Sequence, residues 1–163
     1  MCRPAVLHPE SRGEIKLRSS DPRDKVAIHQ NFLSEEKDWE TLRTGFDMVR
    51  DVASQKPLDS FRGPEIQPGP NVTSRQDIDE YIRRTAWTVH HPLGTCKMGP
   101  DKDDMAVVDS QLRVRGAQGL RVVDASVMPD MPGGNINAPI IMMAEKAADL
   151  IRDREPLAPE NFR

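Results

Sequence analysis

Three short segments hold the residue types that could do chemistry. The first is His90-His91-Pro92-Leu93-Gly94-Thr95-Cys96-Lys97-Met98-Gly99. An imidazole accepts a proton near neutral pH, so a histidine fixed where helix gives way to extended chain is a candidate general base. Pro92 disfavours helical geometry at His91 and places that change of structure at the histidine pair. A metal ion shared by His90, His91 and Cys96 is disfavoured, because neighbouring side chains in extended chain point to opposite faces. The second segment is Leu120-Arg121-Val122-Val123-Asp124-Ala125-Ser126-Val127-Met128-Pro129. Small side chains beyond a strand let a ligand approach the backbone, and an acid there can accept from a sugar hydroxyl. Read alone, it is a solvated turn ending a core strand. The third is Met131-Pro132-Gly133-Gly134-Asn135-Ile136-Asn137-Ala138-Pro139. Asn137 reads as the N-cap of a helix with proline in its first turn, and the unpaired N–H groups of that helix start suit a ligand atom that becomes negative. Asn135 lies outside the capping position and is free to face a cleft.

The elements that must position these segments follow from periodicity. Ile15 and Leu17 alternate with charge after the Ser11-Arg12-Gly13 turn, and Val26-Ala27-Ile28 follows Asp21-Pro22, which together predict two short strands pairing antiparallel. From a cap at Ser34, residues 35–53 place Trp39, Leu42, Phe46, Val49 and Ala53 on one face of an amphipathic helix that stops at Pro57. Residues 57–70 carry turn residues without periodicity. A second cap at Ser74, with Asp77 three residues on, opens a helix through Ile78, Tyr81, Ile82 and Thr85 to about Trp87. Val107-Val108, Leu112-Arg113-Val114 and Leu120-Arg121-Val122-Val123 are β-type runs broken by Asp109-Ser110 and by the Gly116 and Gly119 turn. A last helix follows from Asn137 through Ile151, and residues 155–163 read as a frayed tail.

Composition bounds the class. With 163 residues, 37% apolar and 30% charged, the chain suits one soluble domain with a modest core. A net charge of -3 with both signs interspersed offers no basic face to nucleic acid. No apolar run reaches membrane-spanning length, residues 1–12 lack the apolar stretch of a secretory signal so none is expected, and a cytoplasmic location is the default expectation. Cys2 and Cys96 lie far apart and read as reduced thiols.

The three segments, in this order and spacing, closely resemble the C-terminal region of the glucose-methanol-choline (GMC) oxidoreductase family, in particular its choline-dehydrogenase-like branch. The histidine-proline-x-glycine-threonine-x-x-methionine-glycine run at residues 91–99, the aspartate-alanine-serine element at 124–126 and the glycine-asparagine-x-asparagine-alanine-proline turn at 134–139 are all intact. Leu7-His8-Pro9-Glu10-Ser11-Arg12-Gly13 resembles the family's entry into its substrate domain. The resemblance implies an α+β architecture, with a partial substrate-binding domain over residues 1–118, an antiparallel sheet packed by helices. It implies the returning strand, loop and helix of an FAD domain over 119–154. It assigns His91 as the active-site base and Asn135 as the second active-site position, filled by His or Asn across the family. His90 is left a structural role. Asp124 and Ala125 match positions near the ribityl and pyrophosphate part of FAD. Asn137, Ala138 and Pro139 match the helix start facing the pyrimidine edge, where charge develops on reduction. The implied reaction takes a primary alcohol to an aldehyde, with a proton passing to His91, the oxygen held by Asn135 and hydride passing to the flavin.

The departure from the family lies in the nucleotide site. There is no GxGxxG after a strand and no ribose-binding acid beyond one, so the ADP half of FAD has no evident site. The chain is therefore expected to be inactive without a separate N-terminal FAD-binding portion. In isolation it is expected to expose an apolar face, which leaves self-association open. The alternative is a non-catalytic remnant serving as a binding or interaction module.

Overall fold

The structure is a computed structural model that describes residues 2–155 together with Ala158 and Glu160. The tail expected over 155–163 lies, apart from Glu155, Ala158 and Glu160, outside the described residues. The chain is α+β and forms two compact units, Met1–Val89 and His90–Arg163. No helix among the described residues is long and apolar enough to cross a membrane.

The first unit holds strand β1 (Glu14–Lys16), strand β2 (Ala27–His29), helix α1 (Glu36–Ser54) and helix α2 (Arg75–Thr85). The strands pair antiparallel, as expected, and the register places Ile15 opposite Ile28. Phe46 of α1 and Ile78 and Ile82 of α2 form the core between the helices, flanked by Trp39, Leu42 and Tyr81. The three- and four-residue spacing of these side chains lays them on facing stripes. Arg43 locks the same pair of helices with a two-pronged ion pair to Asp79, Nε to Oδ1 at 2.5 Å and Nη2 to Oδ2 at 2.7 Å. That bond holds the Asp79 carboxyl below its ordinary range. At the start of α2 the Ser74 hydroxyl accepts from the Asp77 N–H, as expected, and the helix stops at Thr85, two residues short of Trp87.

The start of α1 differs from expectation. Ser34 does not cap it: Glu35 is the N-cap residue, and its side chain makes no capping bond. The cover comes instead from the run before β1. The Glu35 N–H donates to Ser11 Oγ at 3.2 Å, and Asp38 accepts from the N–H groups of Glu10 at 2.8 Å and Ser11 at 3.0 Å. Asp38 is 2% exposed. Burial pushes its carboxyl up, but the Ser11 hydroxyl and the two backbone donors outweigh burial and hold it below the ordinary value of 3.8.

This clamp makes a prediction. A carboxyl with a depressed folded-state pKa contributes stability above its unfolded value and loses it as pH falls through the folded value. Asp38→Asn should therefore destabilise the chain by about 1.5–3 kcal/mol at pH 7, as expected for bonds to a charged group. It should also flatten the fall in stability as pH drops below the ordinary 3.8. Urea unfolding of both proteins between pH 7 and pH 3 reads both effects; parallel curves across that range would remove the clamp from the account.

The second unit is built from loops stitched by backbone bonds around helix α3 (Asn137–Ile151). Val108, Leu112, Val127 and Ala147 form its core, with Met98, Val107, Val114, Val122, Val123 and Met143 packed on them. Met143 and Ala147 lie one turn apart on α3 and supply its inward face. The three β-type runs expected here do not become strands. They meet only as isolated bridges, Met98 with Val108, Val108 with Val114 and Arg113 with Arg121. The reason is the turn chemistry between them. The Asp109 carboxylate accepts from the N–H groups of Gln111 at 2.8 Å and Arg113 at 3.0 Å, and Leu112 is driven to φ 63°, so the chain bends before a ladder can extend. Gly116, at φ 76°, supplies the left-handed turn that lets the Val114 N–H reach Leu120 O at 3.0 Å.

Candidate active site

Three backbone bonds carry the histidine segment along the aspartate-alanine-serine element. The N–H groups of Gly94, Cys96 and Met98 donate to the carbonyls of Ala125, Ser126 and Val127 at 3.4, 2.9 and 2.8 Å. Gly94 sits at φ 86°, a conformation costly for any residue with a Cβ, which accounts for glycine three positions after His91. On the far side of this ladder the segment is braced by side chains. Lys97 Nζ donates to Asp103 Oδ2 at 2.7 Å, and Arg115 Nη2 donates to Gly99 O at 2.8 Å. The ammonium of Lys97 holds the Asp103 carboxyl below its usual range. Sequence reasoning gave no separate role to Gly94 or Lys97 within the histidine run, and none to Asp103 or Arg115. Their signal is positional, a glycine and a lysine inside the histidine run.

The geometry brings His91 and Asn135 together. His91 Nε2 lies 3.2 Å from Asn135 Oδ1, although 44 residues separate them. His91 is half-buried and Asn135 is exposed, so the pair sits at an accessible edge of its unit. With the amide oxygen facing the ring, Nε2 carries the proton and Oδ1 accepts it; a half-turn of the amide presents Nδ2 instead and leaves Nε2 free to accept. His90 has φ 61°, in the left-handed region, so the extended geometry assumed for the histidine pair does not hold.

The remaining predicted residues lie on the same unit. Asp124 is the N-cap residue of a 3-10 turn at Ala125–Val127, its Oδ1 accepting from the Ser126 N–H at 2.7 Å, and Ala125 contributes the carbonyl that receives Gly94. Asn137 is not the cap of α3. Ile136 holds that position in helical geometry without a side-chain capping bond, and Asn137, Ala138 and Pro139 are the first three helical residues. Asn137 and Ala138 are exposed. Their N–H groups stand in the first turn, where a helix has no internal partners to offer and carries partial positive charge.

A family model described as GMC oxidoreductase matches residues 9–144. The chain belongs to the GMC oxidoreductase family. Within it, the chain is 50% identical over 149 residues to oxygen-dependent choline dehydrogenase 1 of Chromohalobacter salexigens, covering 91% of this chain and 27% of that protein. It is 53% identical over 155 residues to the oxygen-dependent choline dehydrogenase of Ectopseudomonas mendocina, covering 95% of this chain and 27% of that protein. The chain thus spans about a quarter of the length of these GMC relatives. Among solved structures, pyridoxine 4-oxidase from Mesorbium loti superimposes with a TM-score of 0.82 at 36% identity over 92% of this chain and 29% of that one. An FAD-dependent oxidoreductase from Chaetomium thermophilum gives 0.84 at 31% identity, over 90% and 25%.

Proposed function

We propose that this GMC chain is the C-terminal portion of an FAD-dependent alcohol oxidoreductase, oxidising a primary alcohol to an aldehyde, and that it works only together with an N-terminal FAD-binding portion. In this reading residues 1–118 belong to the substrate-binding domain and 119–154 return to the FAD domain. The observation that carries it is the 3.2 Å approach of His91 Nε2 to Asn135 Oδ1 at an accessible edge. A proton acceptor and an amide that can turn to donate are what oxidation of a carbinol needs from a protein.

The residues present fit one end of the cofactor. Asn137, Ala138 and Pro139 form an uncapped helix start beside Asn135, and a small residue at Ala125 leaves room for close approach. They would hold the isoalloxazine end of FAD, with Asp124 toward the ribityl chain. The sequence has no glycine-rich phosphate loop, so the nucleotide end belongs to the other portion. When bound, FAD supplies the acceptor for the hydride that leaves the carbinol carbon.

The chain's own residues do the rest. An alcohol entering between the pair displaces the direct His91–Asn135 contact. Its O–H donates to His91 Nε2, and Asn135, turned by half a rotation, donates from Nδ2 to the alcohol oxygen. Proton transfer to Nε2 builds negative charge on that oxygen, and the Nδ2 bond strengthens as the charge grows. Loss of hydride from carbon then completes the C=O double bond, and His91 releases the proton to water.

Co-expression of the chain with the FAD-binding portion of a full-length relative tests the proposal. The expected result is a yellow complex that reduces a dye with choline or another primary alcohol as donor. A flavin-loaded complex without alcohol turnover would leave the chain a binding module.

A further inference from the structure

Asn135 is exposed and yet meets His91 at 3.2 Å, so its backbone must be held from elsewhere. The turn before it supplies little. Gly133 and Gly134 carry no side chains, and a Cβ added at Gly134 would meet nothing within 4 Å. The residue after it is different. Ile136 is 6% exposed, while Gly133, Gly134, Asn135, Asn137 and Ala138 around it are all exposed.

Ile136 is also the point where the turn joins α3. Its backbone is already helical, with φ -83° and ψ -8°, and its carbonyl accepts the Ile140 N–H at 3.0 Å. Ile136, Ile140, Met143 and Ala147 follow one another at the three- and four-residue spacing that lays side chains on a single stripe. Ala147 belongs to the core of the second unit with Val108 and Val127, and Met143 packs on it. Ile136 is thus the first member of the stripe that seats the helix. His91 reaches the same core by another route. Met98, at the far end of the backbone ladder that begins at Gly94, packs on that core, and Val127, which receives the Met98 N–H, is part of it. The histidine and the asparagine hang from one apolar cluster by two separate elements.

From this geometry we infer that Ile136 is the positioning residue of the pair: buried at the head of α3, it fixes the backbone that presents the Asn135 amide to His91 Nε2. This role rests on the catalytic reading of His91 and Asn135, and Ile136 acts in it only through Asn135. With the Asn135 backbone held, a half-turn of the amide exchanges Oδ1 for Nδ2 while the reach toward the ring is kept. With Ile136 shortened, the helix start loosens and the amide leaves that reach. A misplacement of about 1 Å at a reacting group costs up to about a hundredfold in rate.

The test makes Ile136→Val and Ile136→Ala in the full chain, alone and together with Asn135→Ala. In the isotope-labelled free chain, the nuclear Overhauser effect between the His91 ring and the Asn135 side-chain amide protons reports the contact. It should be present in the unaltered chain, weaker in Ile136→Val and lost in Ile136→Ala. In the complex with the FAD-binding portion, Ile136→Ala should lower kcat by about tenfold and change KM by less than about threefold, with Ile136→Val between it and the unaltered chain. If Ile136 acts through Asn135, adding Ile136→Ala to Asn135→Ala should cost less than about twofold more. An undiminished loss in that background, as general core packing would produce, overturns the role. So does a ring-to-amide contact that survives Ile136→Ala, or a kcat left within about twofold by it. Should Ile136→Ala fail to fold, a weakened contact in Ile136→Val upholds the role and an unchanged one overturns it. A flavin-loaded complex without alcohol turnover removes the catalytic reading alone, and the contact in the free chain then decides the positioning by the same two results.

Discussion

His91→Ala is expected to lower alcohol turnover of the reconstituted complex by about 10²- to 10⁴-fold, the range that general-base catalysis supplies, while the flavin stays bound. The retained flavin follows from position. His91 is tied to its unit by the Gly94 to Ala125 bond three residues on and by the ladder beyond it, none of which uses the imidazole. Removing the ring therefore leaves the backbone that carries Asp124 and Ala125 in place. In the proposed role, what is lost is the acceptor for the hydroxyl proton, which water must then replace. Stopped-flow reduction of the flavin by alcohol and by its carbinol-deuterated form separates the steps. With His91 the deuterium effect on hydride loss should be visible; without it, proton loss becomes the slow step and a solvent isotope effect should grow. Added imidazole should restore part of the rate. Turnover within about threefold of the unaltered complex would mean that His91 is not the base, since a lost general base costs at least about a hundredfold.

The parts of this molecule that were legible in its sequence are those where neighbouring residues decide the outcome. Ser74 and Asp77 announce α2 because a hydroxyl three residues before an N–H can reach it, and Phe46, Ile78 and Ile82 announce their helix faces by spacing. The antiparallel pairing of the two short strands follows from the same logic, although the second strand lies one residue later than its composition suggests. Where long-range bonds decide, local reading fails. Asp38 looks like a solvated acid in the first turn of a helix, yet it is buried, with the N–H groups of residues 28 and 27 positions earlier donating to it. Ser34 and Asn137 carry good capping side chains, but Glu35 is covered by Ser11 and Ile136 enters α3 already helical, so neither cap is used. The β-type runs had the right residues and lacked length, since Asp109 binds its own neighbours and turns the chain first. The site divides the same way. Adjacent histidines before a proline flag a place of interest; nothing local joins His91 to Asn135 across 44 residues. The family resemblance paired them in advance, because a recurring constellation encodes a tertiary contact that periodicity cannot.

Asn135 decides whether that contact is chemistry or packing. If its amide donates to the oxygen as the proton leaves, Asn135→Ala should cost about 10²- to 10³-fold in kcat, the usual consequence of deleting one donor to a developing oxyanion, with a smaller change in KM. Asn135 is exposed, so the substitution should leave unfolding within about 0.5 kcal/mol of the unaltered chain. Asn135→Asp is the sharper variant. It keeps the size and the 3.2 Å reach toward His91 Nε2, but a carboxylate cannot donate and places like charge beside the oxygen that becomes negative. A packing role predicts that Asp serves nearly as well as Asn and better than Ala; a donor role predicts that Asp is the worst of the three. Asn135→His, which restores a ring N–H, should recover activity over Ala. If His91 and Asn135 act on one oxygen, as proposed, the double alanine variant should lose little beyond His91→Ala alone. Additive losses would place the two side chains in separate steps, and an aspartate enzyme faster than the alanine one would remove Asn135 from the chemistry.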